Sequence, residues 1–431
     1  MDSDNTKTPN RKTEVIAGIT TFLTMAYIVI LNPQIISAGG KTGMAFSGVL
    51  TATVLICFTM TLMMGLYAKL PIAVAPGMGI NAFFTYNIIL GKSVPWPTAL
   101  GIVFWAGVLF LLISVTPIRE SIAKAIPKEL RIAAAAGIGI FLTFIGLKNA
   151  GFIVASPETL VALGPLGRPA LLAILGVAVS VFLMSRRSPF AFLVSISLVT
   201  LISWALGMVT TPASFLSTPD FRSVFLKLDI LDALKLSLLP AIITIMFTDL
   251  FDSISTFIGV AHAGDLLDKD GHPRNLREGL IVDSFATFGA GLAGTSSGTA
   301  YIESISGISM GGRTGLTSVV TAFCFLPCLF IAPLAGMVPA YATAAVLIMV
   351  GAAMFRTVGQ ISFSKIEEGV PAFLTMILIP LTFSITQGIL WGFISHVGLY
   401  LMVGRRRDIH PVMYVLALVS IGLLVLERLK F

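Results

Sequence analysis

Residues 70–86 read LPIAVAPGMGINAFFTY, and this stretch constrains the fold more than any other. It is apolar enough for a membrane interior, but Pro71, Pro76, Gly77 and Gly79 interrupt a continuous helix. The pattern predicts an extended entry followed by a half helix that begins near Met78. Non-helical backbone survives at membrane depth only where protein or a water-filled cavity covers it, and such segments often line binding sites.

A second stretch of this kind lies in the other half of the chain. Residues 294–308 read GTSSGTAYIESISGI, a Gly, Ser and Thr run before a short helix that we expect to begin near Ala300 or Tyr301. Gly and Pro also serve simple packing in membrane helices. Because the two stretches occupy matching places, we interpret both as short extended strands that cross in mid-membrane, with two helix N-termini facing one pocket.

The composition around these stretches is that of a membrane protein. Of the 431 residues, 56% are hydrophobic and 11% charged, and the mean hydropathy of +0.95 excludes a soluble globular protein. The sequence therefore predicts an all-α polytopic membrane protein with fourteen transmembrane segments, each about 20 residues long. We place them at 15–36, 44–67, 70–90, 97–116, 129–147, 168–185, 189–208, 236–260, 278–293, 294–310, 314–335, 340–356, 370–385 and 388–404.

Charged residues between the segments predict the orientation. With the tail of residues 1–13 in the cytoplasm, most basic loop residues fall on the cytoplasmic side, where Lys and Arg concentrate. They are Lys69, Arg119, Lys124, Lys128, Arg131, Arg186, Arg187, Lys269, Arg274, Arg277, Arg313, Arg356, Lys365, Arg405, Arg406 and Arg407. The outer side carries few, chiefly Lys92, Lys148, Arg222 and Lys227. Orientation thus accounts for the net charge of +7, and we expect no nucleic-acid partner.

Seven segments on each side of residues 211–235 give two halves of opposite orientation, which predicts a 7+7 inverted repeat. Weak internal similarity agrees: Thr20–Thr24 aligns with Thr248–Asp252, and Ala75–Asn81 aligns with Ser297–Glu303. The connector between the halves alternates apolar and charged residues, which is typical of an interfacial helix but also compatible with a plain linker.

Carboxylates inside the segments indicate a candidate site, since a charged group in the bilayer centre costs a few kcal/mol on insertion scales. Asp249 and Asp252 lie one helical turn apart in the eighth segment, and Glu303 lies in the tenth. Asn81 and Thr24 occupy the positions that match Glu303 and Asp252 in the other repeat. Carboxylate acceptors together with an amide suit a neutral cargo that bears N–H groups.

Aromatic residues near these positions are candidates for the apolar face of the pocket. Phe83, Phe84 and Tyr301 are suited to stacking on a flat ring, although aromatic residues in membrane helices also serve packing.

Proton coupling is a further hypothesis, because burial disfavours the charged form of a carboxylate and lets a proton be exchanged with substrate. The candidates are Asp252, Glu303 and Asp249, with a structural role for Asp249 left open. The sequence does not choose between them. Asp283, close to a cytoplasmic loop, is interpreted as a capping or hydrated residue.

The sequence contains no pattern typical of catalysis or metal binding. No nucleophile with a base and no HExxH cluster occurs in the segments, so we expect neither an enzyme nor a metal site or cofactor. Asp265, Asp268 and Asp270 do not form an EF-hand loop, because its sixth and twelfth positions would hold Asp270 and Leu276 instead of Gly and Glu.

Five motifs spread over nearly the whole chain carry a family resemblance. They are AGITTFLTMAYIVILNP at Ala17–Pro33, APGMGINAFFTY at Ala75–Tyr86, FTDLFDSISTFIGV at Phe247–Val260, LLDKDG at Leu266–Gly271 and GTSSGTAYIESISGI at Gly294–Ile308. With these motifs the chain resembles the AzgA-like purine (adenine, guanine, hypoxanthine) permeases of the nucleobase/cation symporter-2 family. One departure is Ser255, which stands where the family usually has Gly and narrows the space beside Asp252.

The resemblance implies a secondary active transporter of the inner membrane that imports a purine base with a proton, through an elevator-type movement of a core domain against a gate domain. It also implies a homodimer, and base contacts by Asn81, Asp252 and Glu303. The implied division is a cytoplasmic tail (1–13), a core (14–116 and 236–335), a gate (117–210 and 336–405), a connector (211–235) and a C-terminal segment (406–431), of which 411–428 is a fifteenth span or an interfacial helix.

An anion transporter of the sulfate-permease-like group, which shares this architecture, is the alternative. Acids around the site argue against it, because an anion bound between helix N-termini would be repelled by carboxylates.

Overall fold

The computed structural model describes residues 10–116, 125–267 and 273–428, and these are mostly helical. The helices are α1 (Arg11–Met25), α2 (Ile28–Ser37), α3 (Phe46–Met63), α4 (Met78–Ala82), α5 (Trp96–Val115), α6 (Lys128–Asn149), α7 (Arg168–Ser185), α8 (Ala191–Ala205), α9 (Leu239–Gly264), α10 (Leu276–Ala293), α11 (Ser304–Ser309), α12 (Gly315–Phe325), α13 (Ala332–Gly336), α14 (Ala340–Phe355), α15 (Ile366–Thr382), α16 (Ile385–Met402) and α17 (Pro411–Arg428). The strands are β1 (Val74–Pro76), β2 (Ile153–Ser156), β3 (Leu160–Leu163) and β4 (Gly298–Ala300).

Eight helical stretches in the described residues are long and apolar enough to cross a bilayer, so the chain is a multi-pass membrane protein. They are Arg11–Gly40, Phe46–Ala68, Trp96–Val115, Lys128–Asn149, Arg168–Ser185, Leu236–Gly264, Ala340–Gln360 and Ile385–Met402. Shorter apolar helices occupy Ala191–Ala205, Gly315–Phe330 and Pro411–Val425. The count of fourteen segments and the inverted repeat stay predictions.

The first helix begins inside the predicted tail. The Asn10 side chain accepts a hydrogen bond from the Lys12 backbone N–H at 3.1 Å, and this N-cap starts α1 at Arg11. The Glu14 carboxylate is buried and accepts the backbone N–H groups of Arg313 (3.0 Å) and Thr314 (3.4 Å) just before α12. A carboxylate at a helix N-terminus satisfies free N–H groups, so Glu14 ties α1 to α12.

The long helices pack in two groups. In one, α5 lies against α9 and α10, while α1 and α3 lie against α12. In the other, α6 lies against α14 and α15, α7 against α8 and α14, and α15 against α16. Small residues allow the closest crossings. A Cβ added to Gly139 of α6 would lie 2.6 Å from the carbonyl oxygen of Gly351 in α14, so these two backbones are in contact.

The connector is a linker, and the interfacial-helix interpretation is wrong. Residues 206–238 contain no α-helix, only 3₁₀ turns at Asp232–Leu234 and Leu236–Leu238. Hydrogen bonds to the ends of two helices hold the connector in place and replace the internal bonds of a helix. Asp229 N–H donates to the Pro97 carbonyl (2.9 Å), and Leu226 N–H donates to the Leu292 carbonyl (2.8 Å).

The C-terminal segment forms α17, which packs beside α16. Met413, Ala417, Ser420 and Leu423 are buried and lie on one helix face, since they are three or four residues apart. Apolar residues such as Leu418 are exposed on another face. The role of α17 as a fifteenth span or an interfacial helix stays a prediction.

Some predicted features lie outside the described residues. These are the tail up to residue 9, the loop charges Arg119, Lys124 and Lys269, and the acids Asp268 and Asp270 of the loop interpreted as solvated.

Candidate functional site

The two interrupted segments meet inside the protein. β1 and β4 pair antiparallel, with Val74 opposite Ala300, Ala75 opposite Thr299 and Pro76 opposite Gly298. Two further backbone bonds extend the ladder: Gly77 N–H donates to the Ser297 carbonyl, and Tyr301 N–H donates to the Ala73 carbonyl, both at 2.9 Å. The strands thereby join the first half of the chain to the second.

Hydroxyl groups complete the hydrogen bonding of this non-helical backbone. Thr61 of α3 accepts the Val74 N–H (2.9 Å) and donates to the Val74 carbonyl (3.0 Å). Ser318 of α12 donates to the Leu70 and Ile72 carbonyls at 2.7 and 2.9 Å. Because unpaired backbone groups are costly away from water, these side chains allow an extended segment to lie in the protein interior.

A short helix follows each strand. α4 begins at Met78, as the Pro and Gly pattern predicts. α11 begins at Ser304, so the expectation of a start near Ala300 or Tyr301 is wrong. Gly298–Ala300 and the Tyr301 N–H are engaged in the pairing with β1, which delays the helix by three residues. Glu303 therefore occupies the N-cap position of α11 instead of its body.

A cavity of about 100 Å³ lies where the strands end, and it brings three predicted site residues together. Asp252, Glu303 and Tyr301 all line it. The other lining residues are Tyr27, Gly77, Met78, Gly79, Thr256, Thr299, Ala300, Ile302, Val350 and Met354. Val350 and Met354 belong to α14, so the cavity lies between the two helix groups and has an apolar wall on the α14 side.

Glu303 is the hydrogen-bonded acid of the cavity. The Tyr27 hydroxyl donates to Glu303 Oε1 at 2.6 Å, and the Tyr27 side chain is fully buried. Tyr301 is fixed in a similar way, because its hydroxyl donates to the Pro76 carbonyl at 2.6 Å. Asp252 is partly buried, and its carboxylate has no hydrogen-bond partner within the described ranges. One acid is thus held in place and the other is free to bind.

Four other predicted residues lie away from the cavity lining. Phe83 and Phe84 are packed in the apolar core, with 1% and 0% of their surface exposed. Asn81 is fully buried and accepts a hydrogen bond from Ser296, while its Nδ2 has no partner in the described part of the chain. Thr24 bonds to carbonyls of its own helix at Thr20 and Thr21.

Asp249 lies behind β4 and has a second acid beside it. Thr287 donates to Asp249 and also to the Gly298 carbonyl, while Ser253 donates to Asp283. Asp249 and Asp283 are both fully buried, so the interpretation of Asp283 as a capping or hydrated residue is wrong. Its place near a loop in sequence is misleading because α10 packs its Asp283 face against α9 and β4.

Tyr27, Thr299 and Met354 are lining residues that the sequence interpretation missed. Tyr27 lies between α1 and α2, in the first of the five motifs, and a Tyr among aliphatic residues was the available signal. Thr299 lies on β4, which borders the cavity. Nothing in the sequence near Met354 indicates a pocket.

A larger cavity of about 570 Å³ lies apart from the carboxylates. Gln34, Lys41, Tyr86, Lys148 and Phe383 are among its lining residues. Lys148 lies over the Tyr86 ring at 5.5 Å from its centroid. Metal-binding groups of three or more His, Cys, Asp or Glu side chains are not found in the residues that the structure covers.

Comparison with known sequences covers nearly the whole chain. Residues 12–390 match the Xan_ur_permease family, described as a permease family. The adenine permease AdeP of Escherichia coli (strain K12) is 44% identical, over 95% of this chain and 92% of that protein. The guanine/hypoxanthine permease PbuG of Bacillus subtilis (strain 168) is 39% identical, over 95% of each chain.

Solved structures with a similar fold are more distant in sequence. The transmembrane domain of a cyanobacterium bicarbonate transporter, BicA, aligns with a TM-score of 0.67 at 18% identity, over 88% of this chain and 97% of that one. SLC26A9 aligns with a TM-score of 0.64 at 10% identity, over 91% of this chain and 65% of that one. At these identities the likeness concerns the fold alone.

Proposed function

This chain belongs to the Xan_ur_permease family of permeases, and from that we propose that it imports purine nucleobases across the inner membrane in symport with protons. As a permease it is a transporter and not an enzyme. The observation that carries the substrate proposal is the pair of acids in one cavity, Glu303 held by Tyr27 and Asp252 without a partner.

The chemistry of the cavity suits a purine base. A purine presents N–H donors at the edge of a flat ring, and carboxylates are pure acceptors when ionised. Glu303 and Asp252 would accept those N–H groups, and Tyr301, Val350 and Met354 would cover the ring faces. Two relatives of known name, an adenine permease and a guanine/hypoxanthine permease, support a purine over other small molecules.

We assign supporting roles to the predicted residues outside the lining. Asn81 and Ser296 would brace the strand crossing from behind, and Phe83 and Phe84 would fill the core beneath α4. Thr24 would stabilise the end of α1. Each of these residues acts on the cavity through the backbone segments that it holds.

Proton coupling is supported by the surroundings of the acids. Asp252, Glu303 and Asp249 lie in a protein interior where a carboxylate gains from protonation, so binding a base and binding a proton can depend on one another. Asp252 is the preferred coupling group, because it lacks a hydrogen-bond partner in the described structure that would hold it ionised.

An elevator-type movement is supported by the division of the cavity wall. Tyr27, Asp252 and Glu303 come from one helix group, the predicted core, whereas Val350 and Met354 come from α14 in the predicted gate. A core that slides against such an apolar surface carries its base without breaking polar contacts to the gate. We also propose a homodimer with a cytoplasmic N-terminus, as the family resemblance and the loop charges suggest.

The anion-transporter alternative receives support from fold alone. BicA and SLC26A9 share the fold at 18% and 10% sequence identity, whereas the adenine permease and the guanine/hypoxanthine permease are 44% and 39% identical in sequence to this chain. Two carboxylates in the cavity would also repel an anion.

Substitution of the two acids tests the site. We expect Glu303→Gln and Asp252→Asn to abolish uptake of radiolabelled adenine and hypoxanthine, because each removes a charged acceptor from the base. Glu158→Gln, an exposed acid on the β2–β3 hairpin, is the matched control and should transport normally. Surface levels of each variant are measured in parallel. Uptake at the wild-type rate by both site variants would contradict the assignment.

A binding assay separates the two substrate classes. Purified protein is heated with adenine, guanine, hypoxanthine, xanthine, uracil, sulfate or bicarbonate, and a bound ligand raises the unfolding temperature by mass action. Stabilisation by one or more purines is the expected result. Stabilisation by the anions alone would overturn the proposal in favour of the alternative.

A further inference from the structure

Asp252 borders a second, smaller cavity besides the one that contains Glu303. This cavity of about 40 Å³ lies between α9 and α6, and its polar lining residues are Arg131, Thr248, Asp252 and Ser255. Met354 lines both cavities, so the Asp252 carboxylate and the Met354 side chain form the partition between them. The small cavity is therefore directly beside the proposed base site.

Arg131 is an unusual residue to find in this position. It lies in the first turns of α6, it is half-buried, and its Nε is fully buried without a hydrogen-bond partner in the described structure. Leu130, Phe251 and Phe393 line an apolar recess around it. No acidic side chain of the described residues lies within ion-pair distance of its guanidinium.

An arginine at the end of a membrane helix commonly extends to the lipid headgroups and keeps its charge in water. Arg131 does not fit that role fully, because its Nε is directed into protein and left unpaired. Burial of part of a guanidinium without a partner is costly, so a state in which Arg131 is paired with an acid would be more favourable. The opposite charge that shares its cavity is Asp252, which also lacks a partner.

We propose that Arg131 is the reversible countercharge of Asp252: the two pair across the small cavity when Asp252 is ionised and without a base, and they separate when a base or a proton occupies the carboxylate. Pairing would draw α6 of the gate toward α9 of the core and close the cavity on that side. The inference rests on the proposed function, since it assigns a regulating residue to the same site. Arg131 is a positioning residue that acts through Asp252.

Other groups that face Asp252 must be considered in any test that varies pH. The larger of the two cavities that Asp252 borders is also lined by Glu303, Tyr301 and Tyr27. Asp249 lies one turn away on α9, and Asp283 lies on α10. Two further elements pack against α9 near this point. Glu129 lies beside Arg131 on α6, and α16 carries His396 two turns beyond Ile389, which lines the small cavity.

The test is the pH dependence of adenine-induced thermal stabilisation of the purified full chain, which needs no proton gradient. Neutralising Arg131 as Arg131→Gln should move the pH midpoint upward by about one unit, because loss of a nearby positive charge makes a carboxylate easier to protonate. Arg131→Lys keeps the charge and should stay near the wild-type midpoint. Arg131→Met is a second neutral variant in case the Gln variant does not fold.

Two controls make the result specific. Lys128→Gln removes a cation one turn earlier on α6 and should leave the midpoint unchanged. In an Asp252→Asn background, where adenine is not expected to bind, the readout is the pH dependence of the unfolding temperature without adenine, and Arg131→Gln should not change it. Coincident midpoints for wild type and both neutral variants would overturn the role of Arg131 while the purine proposal stands. Absence of stabilisation by any purine in the wild type would overturn both.

Discussion

At the scale of single residues, the Tyr27 hydroxyl fixes the geometry of the proposed base site, because it is the only side chain in the described structure that donates to Glu303. Hydrogen bonds to charged groups contribute roughly 1.5–3 kcal/mol. An acid held in one orientation loses less freedom when it receives the N–H edge of a base. Tyr27 thus acts through the position of Glu303.

Tyr27→Phe should therefore weaken base binding by about tenfold, the equivalent of the lower end of that range. The measurement is the concentration of adenine that half-maximally stabilises the purified protein. Tyr341→Phe is the matched control, because the Tyr341 hydroxyl is buried without a partner in the part of the chain that is described. Equal affinities for the two variants and the wild type would show that Tyr27 does not order Glu303.

Which acids lie deep in the protein was partly readable from sequence. Position inside an apolar stretch pointed to Asp252 and Glu303, and the structure has both in one cavity. The same criterion failed for Asp283, whose burial depends on which face of α10 meets α9. Hydrophobic patterning leaves that face undetermined in a helix that is apolar almost all round.

At the scale of elements, Pro and Gly are the informative residues. Pro71 and Pro76 restrict the backbone and Gly77 disfavours a helix, so the half helix starting at Met78 could be predicted. The start of α11 at Ser304 could not, because Gly298–Ala300 pairs with a strand more than 200 residues away. This long-range pairing overrides the local preference for a helix, and the sequence near the segment does not indicate it.

Helix crossings in the predicted gate depend on small residues. In α14, a methyl group added to Gly351 would overlap the Gly139 carbonyl oxygen and the Thr143 side chain of α6. Gly351→Ala should destabilise the protein by about 1–3 kcal/mol, the usual effect of overpacking. Thermal unfolding in detergent is the measurement. Gly398→Ala in α16 has open space for its methyl group and should unfold at or above the wild-type temperature. A Gly351→Ala variant as stable as wild type would mean that α6 and α14 separate easily.

At the scale of the whole molecule, composition was sufficient for the class of protein but not for every segment. Eight stretches have the length and hydropathy of membrane spans, whereas β1, β4, α4 and α11 are too short to be recognised by either. The interrupted segments were predicted instead from the Pro, Gly, Ser and Thr residues that disfavour a continuous helix. The packing of the helices into two groups follows from contacts between distant parts of the chain, which hydropathy does not report.

Orientation in the membrane can be measured with single cysteines in a chain from which Cys57, Cys324 and Cys328 have been removed. Ser214→Cys in the exposed connector should react with a membrane-impermeant maleimide in intact cells, because the loop charges predict an outer location. Ser364→Cys, equally exposed but predicted to be cytoplasmic, should react only after the membrane is permeabilised. The reverse pattern would invert the topology, and the direction of transport would have to be reconsidered with it.

The pairing of β1 with β4 also affects the order of events during synthesis. More than 200 residues separate the partners, so at 5–20 residues per second β1 waits roughly 10 to 45 seconds for β4 to be made. Until then, backbone groups of the third segment have no strand to bond, and each unpaired group costs several kcal/mol in hydrocarbon. The third segment therefore reaches its final place only after translation of the second half. A nascent chain that ends at the connector lacks β4 and cannot yet form the proposed base site.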